Sequence, residues 1–146
     1  MTKVTFVLLN SEQADVFNSA SEQAAHYFRQ NKRVFVYTQD QEQAHQIDEI
    51  LWSFDPNSFV PHNLVGEGPK QGAPVEISWQ APTNYRQVLI NLSDSVPEYC
   101  HQFQQVIDFV PTEEPAKKLA RARYRHYQTL GMVVDTQQAI DKPSEE

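Results

Sequence analysis

Lys117, Lys118, Arg121, Arg123 and Arg125 gather five of the chain's twelve lysine and arginine residues within nine positions, although the 146-residue sequence carries a formal net charge of −7. Ammonium and guanidinium groups bind anions, and the planar guanidinium fork can hold both oxygens of one carboxylate. At about 100° per residue, Lys117, Arg121, Tyr124, Arg125 and Gln128 share one helical face. Three cations around one aromatic ring suit a short acidic peptide with an apolar end. A charged stripe is more often the solvated side of a helix. Here no Asp or Glu intervenes between Glu114 and Asp135, so the face lacks the mixed signs that give a solvated helix its i,i+4 pairs. Cations late in a helix also favour its C-terminal dipole, which gives Arg123 and Arg125 a second, structural explanation.

On the other side of the same helix, Ala116, Leu119, Ala120, Tyr127 and Leu130 form the expected apolar stripe, with Arg123 in its middle. Arg123 therefore reads as structural, either reaching over the core to water or pairing with a carboxylate such as Asp108. Gly131 reads as the residue that ends the helix. Tyr124 and Tyr127 are assigned to opposite helical sides, which argues against a platform for stacked bases.

Other chemistry is poorly supplied. The five His residues, at 26, 45, 62, 101 and 126, do not form a metal-binding spacing with Cys or carboxylates, and His45 with Glu49 is an ordinary surface pairing. Cys100 adjoins His101, but sequence neighbours point apart and do not make a nucleophile and base. Gly66 and Gly68 lack a third glycine at the offset a dinucleotide site requires, and they precede a strand. Neither a catalytic role, a metal nor a cofactor is expected. Trp52 lies off the Ala44–Ile47–Leu51 stripe, and beside Phe59 it would mark a protein interface if both reached the surface.

A single Cys excludes an internal disulfide and is compatible with a reducing cytoplasm. The apolar run at residues 4–9 is too short for a membrane span. Net negative charge disfavours nonspecific nucleic-acid binding, so an acidic protein segment ranks above DNA as the ligand of the basic helix. Direct binding of single-stranded nucleic acid through that helix is the alternative.

Elements must position these groups. Residues 3–9 read as a buried strand, and Ser19 with Glu22 as a capping box opening a helix that Asn31 closes. Arg33–Tyr37 reads as a second strand, and Asp40 with Gln43 as the cap of a second helix. A long loop rich in Gly and Pro follows. Strands are expected at 75–79, 86–92 and 106–110, a short helix at 97–105, and the basic helix at about 113–130. This β-α-β-α opening implies a mostly parallel sheet with helices on both faces. Residues 1–134 read as one domain and 135–146 as a polar, frayed tail.

The segments Leu51-Trp52, 58–64 (SFVPHNL), 66–69 (GEGP), 73–77 (APVEI), 89–92 (LINL), 108–111 (DFVP) and Leu119 to Tyr124 (LARxRY), with Tyr127 and Gly131, together resemble the chi subunit family of bacterial DNA polymerase III. The likeness runs over roughly residues 3–131. It implies a Rossmann-like three-layer α/β sandwich without a nucleotide site, and a non-catalytic accessory role in the cytoplasmic clamp-loader assembly during DNA replication. The implied partners are the psi subunit and the acidic C-terminal tail of single-stranded DNA-binding protein, with DNA met only indirectly and no membrane involved. Carried over by position, Lys117, Arg121, Tyr124 and Arg125 would bind the tail, and Trp52 and Phe59 would face psi.

Overall fold

A computed structural model describes residues 2–9, 16–53, 60–66 and 72–139. In chain order the elements are β1 (Lys3–Leu8), α1 (Val16–Arg29), β2 (Val34–Tyr37), α2 (Gln41–Ser53), β3 (His62–Leu64), β4 (Val75–Ser78), β5 (Val88–Asn91), β6 (Gln105–Val110), α3 (Ala116–Thr129) and β7 (Val133–Gln138). One 3₁₀ turn, Cys100–Gln102, precedes β6. The strands form a single sheet in the order β3-β4-β2-β5-β6-β1-β7, and every pairing is parallel.

Alternation along each strand divides the core into two layers, because successive side chains leave a strand on opposite faces. Val7, Val34, Val36, Val88, Ile90, Ile107 and Phe109 meet Ala20 and Ala24 of α1 and Ala44, Ile47 and Leu51 of α2. Val4, Phe6, Phe35, Leu89 and Val106 point the other way, toward Cys100, Phe103 and Tyr127 of α3. This is the three-layer α/β sandwich that the family resemblance implies, and its parallel strands are those expected from the opening pattern. Each fully buried apolar side chain of this size contributes about 1.5–3 kcal/mol.

Several local expectations change. α1 begins at Val16, so Ser19 is buried within the helix and does not cap it. Val16 and Phe17 already pack on the core, and burying them extends the helix by a turn beyond the Ser19–Glu22 pattern. Asn31 does terminate α1: at φ 62° it lets Lys32 N–H reach Tyr27 C=O and its own N–H reach Phe28 C=O. The helix expected at 97–105 is only the 3₁₀ turn, in which Cys100 and Phe103 are buried. β3 occupies part of what reads as loop. Residues 135–138, expected within the polar tail, pair with β1 as β7.

Candidate protein-interaction site

α3 carries the basic cluster, and its ends are set by local geometry. At the C-terminus, Met132 N–H donates to Tyr127 C=O at 3.3 Å and Gly131 N–H to Gln128 C=O at 3.0 Å, with Gly131 at φ 82°. This left-handed cap turns the chain straight into β7. The helix is anchored by a buried polar cluster. Arg123 donates from Nε to both oxygens of Asp108, at 3.2 and 3.1 Å, and from Nη2 to Oδ1 at 3.1 Å. Its remaining bonds go to the carbonyls of Asp94 and Phe109. Tyr127 Oη donates to Asp108 Oδ2 at 3.0 Å, Asn91 Nδ2 to the same oxygen at 3.2 Å, and Phe109 N–H to Oδ1 at 2.7 Å. Burial raises the Asp108 carboxyl above its ordinary range, and Arg123, the Phe109 N–H and Tyr127 offset that rise only in part. The same burial, with the Asp108 charge beside it, raises Tyr127 well above the ordinary phenol range. Arg123 is thus a core residue with Asp108 as its partner, as the sequence suggests.

The apolar stripe of α3 is rotated from its expected position. Ala120, Arg123 and Tyr127 are buried, whereas Leu119 is 42% and Leu130 50% exposed. Tyr124 is half-buried: its ring centroid lies 5.2 Å from that of Phe6, and Tyr127 lies 5.7 Å from the same ring. The assignment of the two tyrosines to opposite sides is therefore wrong. Residues at i and i+3 are neighbours on a helix surface, and both rings face β1. A stacking platform is still not available, because Tyr127 is wholly buried.

Beyond Tyr124, around the same flank, Lys117 is half-buried while Arg121 and Arg125 are exposed. Arg121 Nη1 lies 3.5 Å from Glu114 Oε1, a pair that sequence reading did not anticipate because Pro115 interrupts the helical register between them. Both partners are more than half exposed, so the contact is weak and can yield to a competing carboxylate. Tyr124 borders an apolar cluster that includes Phe6, Met132 and Val134. Cations and apolar surface thus lie side by side, an arrangement able to hold a carboxylate-rich chain with a ring at its end.

Trp52 closes α2 and is 61% exposed. Its ring centroid is 4.8 Å from that of His62, whose imidazole is buried with Nδ1 2.8 Å from Val60 C=O and Nε2 3.3 Å from Asp48 Oδ1. Trp52 thus stands on a fixed support. Phe59, expected beside it, lies outside the described residues.

A cavity of about 390 Å³ opens at the carboxyl ends of β5 and β6, lined by Phe17, Asn91, Asp94, Asp108, Leu119 and Arg123 among others. It faces the opposite flank of α3 from Lys117 and Arg121. Among the described residues no group of three His, Cys, Asp or Glu could hold a metal ion, and no helix is long and apolar enough to cross a membrane.

Residues 1–135 match the family model described as "DNA polymerase III chi subunit, HolC". The chain belongs to this family. Among curated relatives it is similar to DNA polymerase III subunit chi of Escherichia coli K12, at 43% identity over 93% of this chain and 97% of that one. It is also similar to the subunit of the same name from Haemophilus influenzae, at 40% identity over 90% and 93% of the two chains. The Pseudomonas aeruginosa chi subunit is 32% identical over 90% and 92%. Among solved structures, bacteriophage T4 UvsW gives a TM-score of 0.58 at 10% identity. This chain is covered over 95% of its length but spans only 42% of UvsW, so that likeness concerns the fold alone. Family membership extends across α3, so the basic flank and Trp52 both lie within the matched region.

Proposed function

We propose that the chain is a non-catalytic accessory subunit of the DNA polymerase III holoenzyme, part of its cytoplasmic clamp-loader complex. It joins the psi subunit to the acidic C-terminal tail of single-stranded DNA-binding protein during replication. The observation that carries the tail-binding role is the flank of α3, where Lys117, Arg121 and Arg125 adjoin the half-buried ring of Tyr124 and the apolar cluster beneath it. Arg121 is the residue best suited to the terminal carboxylate, since its fork binds both oxygens. Each exposed ion pair supplies only about 0.2–1 kcal/mol. Burying a terminal Phe ring adds about 1.5–3 kcal/mol and must do comparable work. Trp52, exposed at the end of α2 and remote in sequence from α3, is the anchor for psi together with Phe59.

Calorimetric titration with a peptide ending in Asp-Asp-Ile-Pro-Phe tests the reading. The expected result is binding in the micromolar range, about −8 kcal/mol, that weakens as salt rises and is largely lost in Arg121→Ala. Salt-insensitive binding, or an unaffected Arg121→Ala variant, would overturn it. Single-stranded DNA displacing the peptide would instead assign the flank to nucleic acid. Trp52→Ala should abolish capture of psi and leave the peptide titration unchanged.

A further inference from the structure

The two margins of the sheet differ. β3 contributes three residues at one edge, whereas β7 contributes six, Val133–Gln138, at the other. Hydrogen bonding fixes which backbone groups of β7 are turned outward. Ala139 N–H donates to Leu8 C=O at 3.1 Å, while Leu9 N–H donates to Val110 C=O at 3.0 Å. Even-numbered residues of β1 therefore turn their main chain to β7, and odd-numbered residues of β7 answer them. The period of two leaves the N–H and C=O of Val134, Thr136 and Gln138 directed away from the sheet.

Edges of this length are ordinarily blunted by Lys, Pro, a bulge or a covering element. β7 contains neither Lys nor Pro. Its one charged residue, Asp135, lies 3.5 Å from Lys3, and Thr136, Gln137 and Gln138 are exposed. α3 leans over this strand with its basic flank outermost. Going round the helix, Arg123 reaches Asp108 of β6, Tyr124 meets Phe6 of β1 in a cluster that Val134 of β7 joins, and Lys117 and Arg121 come next.

We infer that an acidic segment held by the α3 flank adds to the sheet as an eighth strand, pairing its main chain with Val134, Thr136 and Gln138 along the outer edge of β7. This rests on the tail-binding role proposed above and specifies how the tail is held. A strand laid at the ordinary spacing of about 4.8 Å from β7 runs along the cationic flank of α3, within reach of long basic side chains. Main-chain pairing supplies sequence-independent affinity, and the cations select carboxylate-bearing chains over others. Strand addition also accounts for how a few exposed ion pairs can suffice.

Amide hydrogen exchange of the full chain, read residue by residue with saturating Asp-Asp-Ile-Pro-Phe-ended peptide, tests it. Protection of Val134, Thr136 and Gln138 should rise by about tenfold or more, the effect of one added hydrogen bond per amide. Asp135 and Gln137, which face β1 in the ladder, and Ala139, bonded to Leu8 C=O, should change little. Thr136→Pro, which removes an outward N–H, should weaken the peptide about tenfold. Peptides N-methylated at alternate residues give a variant-free check: one alternating set should bind and the complementary set should not. Binding that depends on Arg121 but leaves the three amides unprotected would sink the strand and spare the tail-binding role. Loss of Arg121 dependence would sink that role itself. Protection already present without peptide, with a dimer in sedimentation, would give the edge to a second copy of the chain and overturn the inference.

Discussion

Two arginines two positions apart do different work. Arg123 sits over a carboxylate with no solvent exposure, and its removal leaves Asp108 with only Tyr127, Asn91 and the Phe109 amide around a buried charge. Arg123→Ala should cost about 3–5 kcal/mol in urea unfolding. Among the described residues Arg121 pairs with the exposed Glu114, so Arg121→Ala should shift stability by less than about 1 kcal/mol while removing peptide binding. Equal destabilisation by the two substitutions would contradict the separation of roles drawn here. Arg123 was legible in the sequence because a lone cation within an apolar stripe requires a partner, and Asp108 was available. Tyr124 was harder to place. Helical spacing puts it between the basic and apolar faces, and only the contact with Phe6 shows that it belongs partly to the core.

At the scale of elements, legibility followed the strength of the repeating pattern. β1, β2 and β6 announce themselves as short, almost continuously buried runs, α2 because Ala44, Ile47 and Leu51 recur at helical spacing, and α2 carries a working cap. Gln43 N–H donates to Asp40 Oδ1 at 2.9 Å, while Gln43 Oε1 accepts from Gln39 N–H at 3.0 Å. Asp40→Ala should therefore cost about 1 kcal/mol in thermal or urea unfolding. β3 and β7 escaped because neither carries a sustained apolar run: β3 is the three residues His62, Asn63 and Leu64, and the polar half of β7 follows only two valines. β7 reads V-V-D-T-Q-Q and is held by pairing with β1, a long-range cause that no local window contains. The segment at 97–105 misled in the opposite sense. Val96, Cys100 and Phe103 recur at helical spacing, yet a single 3₁₀ turn is enough to bury all three. Gly131 was readable at the end of α3, and a Cβ there would meet nothing within 4 Å, so φ 82° is the reason for glycine and not crowding. Gly131→Ala should cost about 1–2 kcal/mol, the penalty of a left-handed L-residue, and should loosen the turn that delivers β7 to its place.

For the whole molecule, one layer of the core holds a set of acids that all titrate late. Burial pushes the Cys100 thiol up and raises Tyr99, which also lies close to Tyr37. It raises Tyr127 as well, with the negative charge of Asp108 acting in the same direction. All three belong to the layer beneath α3 and the 3₁₀ turn. Each keeps its proton in the folded chain at a pH where the unfolded chain has released it, so the unfolded state binds fewer protons and stability must fall as pH rises. The contribution is complete below the ordinary thiol range and is lost progressively above about pH 8.5, steepening through about pH 10 as the phenols of the unfolded state ionise. Urea midpoints measured from pH 7 to pH 10.5 should decline on that schedule. Cys100→Ala should remove the earliest part of the decline and leave the later part intact. Thiol titration supplies the independent check: Cys100, 1% exposed, should resist a disulfide reagent at pH 8 in the folded chain and react fully in denaturant. A flat midpoint profile across that range would mean that this layer opens to water before its acids ionise, and α3 would then lack the rigid footing on which its basic flank depends.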